Sequence, residues 1–293
     1  MISAFLPFYP NFFEEIKMTL SRRDFMKMGL GAAAVVASGI QVKAYDPDKT
    51  KPLYLQMYTV GRYFSQDPEG TLAKVAEMGY KGVDYAGYPR PVEELRKLQD
   101  KYGLICFGTH TGRGGIDNLD NLKRTIEEHQ ILGAKYIICP GMHNDGAEGW
   151  AEAGKKFTEA SAIAREAGMY VGYHAHQPDF NVVTEDGRSS WEVFADNSCQ
   201  DVIMQIDLGH CCNKGADYAK LIKKYPGRSK TVHVKESDGL VLGDPKGRVD
   251  WPLVFELLET VGGVEAYTLE YEAGEDRLVA ADESMKAWKK IHG

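Results

Sequence analysis

The sequence predicts an α/β protein folded as a single (β/α)8 TIM barrel of parallel strands, preceded by a cleavable signal segment. Three observations carry this. Short β-branched or apolar runs alternate eight times with longer helix-patterned stretches, and alternating βα units imply a parallel sheet. The units together occupy roughly 250 residues, the size of a closed barrel. The first run is followed by Tyr58-Thr59-Val60-Gly61-Arg62, whereas a doubly wound open sheet would usually carry a Gly-rich phosphate turn there.

Residues 1–44 are read as a leader and 45–293 as the barrel. Ser21-Arg22-Arg23-Asp24-Phe25-Met26-Lys27 is followed by an uncharged Gly/Ala/Val-rich run over 28–40 and then by Val42-Lys43-Ala44. A basic region, a short apolar region and small residues before a cut make a secretory signal. The paired arginines resemble a twin-arginine (Tat) signal, and the apolar run is too short to span a bilayer. Met18-Thr19-Leu20-Ser21 is the natural start of such a leader. Periplasmic export, with the Tat machinery as a partner, is the expectation.

The strands are expected at 53–59, 82–85, 104–110, 135–140, 170–174, 202–207, 231–235 and 266–270. Each is short, apolar or β-branched, and bounded by turn residues. The helices are expected at 68–78, 91–102, 119–132, 150–167, 218–224, 252–261 and 277–291, with a weaker one at 190–195. Gly79, Gly103, Gly133 and Gly168 close helices as C-caps. Pro68, Pro91 and Pro252 suit first turns.

Composition narrows the function. The chain of 293 residues is 43% hydrophobic, enough for a large core. Its 35 Lys/Arg against 42 Asp/Glu give a net charge of −7. That balance argues against a nucleic-acid partner, since phosphate binding needs a basic face. Five cysteines are too few for a disulfide scaffold. Cys106 and Cys139 lie in apolar runs and read as buried thiols.

In a barrel of this kind the active site lies at the C-terminal strand ends. Of eight histidines, His110, His143, His174, His176, His210 and His233 fall at or just beyond expected strand ends; His129 and His292 do not. Asp207, Glu236, Glu270 and Glu272 join them. Alternation places His233 and Lys235 on one strand face, and Thr268, Glu270 and Glu272 on another. Inward carboxylates are costly unless paired or metal-bound. Each signal alone has a plainer reading: Asp207 as a helix cap, His233 as a satisfied core histidine, His174 and His176 as a hydrogen-bonded loop pair. Together, Asp, His and Glu from three strands suit one divalent metal ion, Mn2+, Mg2+, Co2+ or Zn2+. Tyr58, Tyr173, Trp251 and Tyr271 are placed to stack on sugar rings or to pack the barrel.

These residues also carry a resemblance. Leu55-Gln56-Met57-Tyr58-Thr59-Val60, Leu132-Gly133-Ala134-Lys135-Tyr136-Ile137, Tyr173-His174-Ala175-His176, Asp207-Leu208-Gly209-His210, His233-Val234-Lys235-Glu236, the 243–252 run and Leu269-Glu270-Tyr271-Glu272 resemble, in order and spacing, the xylose-isomerase-like superfamily of sugar isomerases and epimerases. The resemblance implies a divalent metal held by Asp207, His233 and Glu270, with His174 where relatives place a first glutamate. It also implies His210 on substrate hydroxyls; His110, His176, Trp251 and Tyr58 are further candidate substrate contacts from their placement near the mouth. Glu270 or His174 would move the proton and Lys235 would supply positive charge. The implied function is metal-dependent isomerisation or epimerisation of a sugar through an enediolate. The alternative is an exported 3-keto-glycoside β-eliminase or hydratase, and a second is a non-catalytic periplasmic sugar-binding protein. The expected partner is a small sugar or glycoside, and a homo-oligomer stays open.

Overall fold

Local chemistry sets the frame before any tertiary contact does. Asp67, Asn118, Ser189, Asp207, Asp217, Asp250 and Asp276 each accept a backbone N–H at a helix start, satisfying donors that a helix leaves free. The computed structural model describes residues 51–292. The leader expected over 1–44, with its paired arginines and Met18 start, lies outside the described residues. β1 (Leu53–Gln56) leads through α1 (Gly61–Gln66) and α2 (Pro68–Met78) to β2 (Gly82–Ala86) and α3 (Val92–Tyr102). There follow β3 (Ile105–His110), α4 (Leu119–Leu132), β4 (Tyr136–Cys139), α5 (Gly146–Glu166), β5 (Tyr170–His174) and α6 (Ser190–Asp196). The chain ends through β6 (Ile203–Gln205), α7 (Leu208–Lys214), α8 (Tyr218–Lys224), β7 (Thr231–Val234), α9 (Trp251–Leu257), β8 (Ala266–Leu269) and α10 (Arg277–Ile291).

The strands form one parallel sheet in the order β6-β5-β4-β3-β2-β1-β8-β7, the expected (β/α)8 TIM barrel. The wall closes between β6 and β7 through a single bridge, Asp207↔His233. Backbone bonds flank it, His233 N to Ile206 O at 3.0 Å and Met204 N to Arg228 O at 2.9 Å. Buried Arg228 braces this joint by donating to Val202 O, Ala195 O and Ser198 Oγ. At the N-terminal strand ends Tyr54, Phe107, Tyr136 and Tyr170 pack ring to ring at 5.0, 4.9 and 5.5 Å, under Lys135 and Arg165. That plug fills the lower mouth, so chemistry is left to the upper one.

Differences from expectation have local causes. Helices α1 and α7 were not foreseen; each is a single short segment in a stretch that reads as a strand-end loop. Strand β6 stops at Gln205, because Asp207 turns the chain into α7 as its cap. Pro91 is an N-cap rather than a first-turn residue. Gly79, Gly103 and Gly133 are left-handed C-caps, as expected.

His129 shows what a satisfied core histidine looks like. Its Nδ1 donates to Thr125 O at 2.7 Å, and its Nε2 meets Thr109 Oγ1 at 2.7 Å. The carbonyl can only accept, so the neutral ring takes its proton on Nδ1 and accepts the Thr109 hydroxyl. Burial pushes its pKa down to about 4, against the Thr125 bond, which raises it. In the unfolded chain the ring takes up a proton near its ordinary 6.5. Stability contributed by the neutral ring is therefore complete above that value and lost as pH falls toward 4, by at most roughly 3 kcal/mol. Urea midpoints at pH 7 and pH 4.5 should converge more closely in His129→Gln than in wild type. An equal acid loss in both would place the effect elsewhere.

Candidate active site

Four side chains from consecutive strand ends converge at the upper mouth. His174 ends β5, Asp207 follows β6, His233 lies within β7 and Glu270 follows β8. One ligand atom from each lies within 4.8 Å of the others. All four are buried, none more than 5% exposed. His233 Nδ1 faces both carboxylates, donating to Glu270 Oε2 at 2.7 Å and lying 3.8 Å from Asp207 Oδ2, so it is the nitrogen that an ion shared with them would take in place of its proton. Asp207 Oδ1 accepts the His210 amide at 2.7 Å, so one oxygen caps α7 and Oδ2 is spare. The plain reading of Asp207 as a helix cap holds for Oδ1, and Oδ2 is left available for a metal.

This group fits a divalent cation. Both ring nitrogens of His174, Nε2 of His233 and Oδ2 of Asp207 are buried without a hydrogen-bond partner, a costly state for polar atoms. Burial holds His174 well below the ordinary histidine range and pushes His233 down to about 3, although Asp207 pulls the latter upward. Neutral imidazoles are the metal-binding form. Two nitrogens and two carboxylates form a ligand set for Zn2+, Mn2+, Co2+ or Mg2+.

Beneath this group lies a polar layer that sequence reasoning missed in part. The His110 ring stacks on His233 at 5.1 Å and 9°. Its Nε2 lies 3.0 Å from Gln205 Oε1, which must accept, and Gln205 Nε2 reaches Thr231 Oγ1 at 3.1 Å. Asp84, wholly buried in β2, has its carboxyl pushed up to about 8, first by burial and then by the charge of Glu270. A lone Asp in Gly82-Val83-Asp84-Tyr85 and a lone Gln in Met204-Gln205-Ile206 were the available signals.

Above the four residues stands a second group. His176, His210 and Glu272 bring ligand atoms within 4.8 Å of one another. The Lys235 ammonium lies between the two groups. It is bonded to Glu272 and lies 3.1 Å from His210 Nε2, 3.7 Å from Glu270 Oε2 and 3.8 Å from Asp207 Oδ2. Burial disfavours its charge, but Asp207, Glu270 and Glu272 outweigh that and raise its pKa. Gly209 allows this approach, because a Cβ there would sit 2.6 Å from Glu236 O and 2.9 Å from Lys235 Cγ. A pocket of about 290 Å³ opens beside the ammonium, lined among others by Gln177, His210, Leu240, Tyr271 and Glu272.

A model of the xylose isomerase-like TIM barrel family matches residues 72–291. The chain belongs to this family. An inosose dehydratase of Clostridium perfringens (strain 13) is 25% identical over 190 residues, which are 57% of this chain and 63% of that one. The match thus spans less than two thirds of that relative's length. A sugar phosphate isomerase/epimerase of Parabacteroides distasonis superposes with a TM-score of 0.74 at 20% identity, covering 85% of this chain and 98% of the other. An IolI protein with a bound zinc atom superposes with a TM-score of 0.61 at 15% identity, covering 82% and 96%. At these identities the structural likenesses establish the fold.

In this xylose isomerase-like barrel the remaining expected site residues fall in three places. His110, His174, His176, His210 and Lys235 gather with the carboxylates. Tyr58 stands at the rim, 53% exposed, with the Arg277 guanidinium 5.8 Å from its ring. Trp251 is buried at the start of α9, away from the pocket lining; its indole Nε1 donates to Glu236 Oε2 at 2.8 Å. The sequence pattern gives α9 a start but not the direction its first side chain takes. His143 is exposed and outside both groups. Tyr173 is core, its hydroxyl donating to Asp179 at 2.8 Å.

Glu236 is an anchor. Its buried carboxylate accepts from the amides of Ser237 at 2.8 Å, Arg248 at 3.1 Å and Val249 at 3.3 Å, besides the Trp251 indole. It ties the 237–250 loop, which supplies Gly239 and Leu240 to the pocket, at both ends. In Glu236→Ala these donors lose their buried acceptor, at about 2–4 kcal/mol. Limited proteolysis should cut within 237–250 in the variant and spare wild type. Equal resistance would deny the anchoring role.

Proposed function

We propose that this protein is a divalent-metal-dependent enzyme that isomerises or epimerises a sugar by removing a proton beside a carbonyl. The observation that carries this is the group His174, Asp207, His233 and Glu270, with buried unpartnered ligand atoms, beside a pocket of monosaccharide scale. The bound ion would polarise adjacent oxygens of the substrate and acidify the C–H between them. Glu270, oriented by its bond to His233, is the base that takes the proton. The Lys235 ammonium supplies fixed positive charge for the enediolate that results. His210 and His176 face substrate hydroxyls, with His110 supporting the rings below. Burial of the ligand group excludes water from the proton's path.

A second reading is favoured by one observation. His174 stands where the resemblance places a glutamate, so the ligand set lacks the paired glutamates that would move protons on both faces of a sugar. Loss of a β-substituent after the same proton removal needs only one such base. The inosose dehydratase relatives support a dehydratase or eliminase outcome on a polyol or glycoside. With the expected twin-arginine leader, the proposed setting is the periplasm, where glycosides are plausible substrates.

Proton exchange separates the two. Purified protein with Mn2+ would be incubated in D2O with ketoses, glucosides and 3-keto-glucosides and followed by NMR. Deuterium at the carbon beside the carbonyl, in an otherwise intact substrate or its isomer, is the expected result. Exchange coupled to loss of water or of an aglycone would transfer the assignment to elimination. No exchange across the panel together with no retained metal would overturn the enzymatic reading.

A further inference from the structure

The upper group is itself a metal-ligand set. His176, His210 and Glu272 provide two imidazoles and one carboxylate with ligand atoms within 4.8 Å of one another. The imidazole rings are 5.1 Å apart, and His210 Nε2 lies 3.6 Å from Glu272 Oε2. Two histidines and a glutamate, leaving a position open, is a known zinc environment in proteins. His210 Nδ1 is buried and has no partner, and among the described residues the only group that meets Nε2, the nitrogen facing Glu272, is Lys235. What already stands among these ligands is a cation. The Lys235 ammonium bonds Glu272 and reaches His210 Nε2 at 3.1 Å. A divalent ion in the same place would lie a few ångströms from a fixed positive charge, in a poorly screened site, and the repulsion there is severe.

We propose that Lys235 is a tethered cation that occupies a latent second metal site formed by His176, His210 and Glu272, and so keeps the protein mononuclear. The inference builds on the reading of His174, Asp207, His233 and Glu270 as the resident metal site. Its consequence is specificity. With the ammonium in place, His176 remains available to a substrate's hydroxyls instead of being locked to an ion, and His210 is held through its contact with Lys235. The pocket beside them therefore suits a polyhydroxylated ligand that is neutral in its ground state, since the lysine, balanced by carboxylates, is left to answer only the charge that develops during reaction.

Metal counting tests this. Wild type and Lys235→Met would be loaded with Zn2+, freed of loose ion by gel filtration and assayed for zinc per chain. Wild type should hold one, Lys235→Met two, and the double variant Lys235→Met/Glu272→Gln one. Loading Lys235→Met with Co2+ should add visible absorption bands of a low-coordinate site that wild type lacks. If circular dichroism shows Lys235→Met unfolded, Lys235→Gln takes its place. A folded lysine variant that still holds one zinc would overturn the proposal, as would a wild type holding two of which Glu272→Gln removes one. Zinc absent from wild type but single in Lys235→Met, and lost on adding Glu272→Gln, would uphold the latent site while sinking the resident one. No zinc in either would sink both.

Discussion

Glu270→Gln should lower turnover by at least about a thousandfold, the scale on which a positioned base and its charge act together. The substitution keeps volume and leaves an oxygen to accept the His233 Nδ1 proton, a bond now 2.7 Å long. It removes the basicity and one negative charge from a site whose other carboxylate is Asp207. The fold should survive, because the side chain keeps its volume and the backbone bond from Glu270 N to Val234 O, 3.2 Å long, is untouched. The decisive measurement pairs turnover with deuterium exchange on the same substrate. Loss of both, with an unchanged melting temperature, is expected. Retained exchange with lost turnover would move the base elsewhere, with His174 as the next candidate.

Asp207 allows a cleaner separation, because its two oxygens do different work. Asp207→Ala removes the cap on α7 and the unpartnered oxygen together. It should abolish metal retention and cost about 1 kcal/mol for the cap. Asp207→Asn keeps an oxygen for the His210 amide and drops the charge. It should restore most of the stability while metal affinity stays at least about a hundredfold below wild type. Thermal midpoints and metal titrations on the two variants, read side by side, test this. Equal stability in both would deny the capping role, and wild-type metal affinity in Asp207→Asn would deny the ligand role.

The strand order and the four residues of the candidate metal site were legible because barrel strands alternate faces. Once the ends of β5 to β8 are located, His174, Asp207, His233 and Glu270 follow. The eight-unit rhythm does the locating, with left-handed glycines closing several helices. What escaped was of another kind. Asp84 and Gln205 sit inside otherwise apolar strands, and a single polar residue there does not disturb the hydrophobic rhythm. Trp251 misled because the pattern around a helix start says nothing about which neighbour its first side chain meets; here that neighbour is Glu236. The α7 helix was hidden by Gly209 and the Cys211-Cys212 pair, which are poor helix formers. Tertiary packing against Lys235 and Glu236 secures it instead.

The seam between β6 and β7 gives the barrel an unequal circumference. Seven of its joints are ladders of several paired residues, whereas this one is the bridge Asp207↔His233 with its two flanking backbone bonds. The two residues that meet there are also two of the four that form the candidate metal site. A bound ion would therefore act as a rivet through the weakest joint of the wall. Metal-free protein should open there first, as a stave loosens at an unbound hoop. Amide protons at Met204 and His233 should exchange faster than those of β1 or β4, and metal should slow the seam while leaving the other strands as they were.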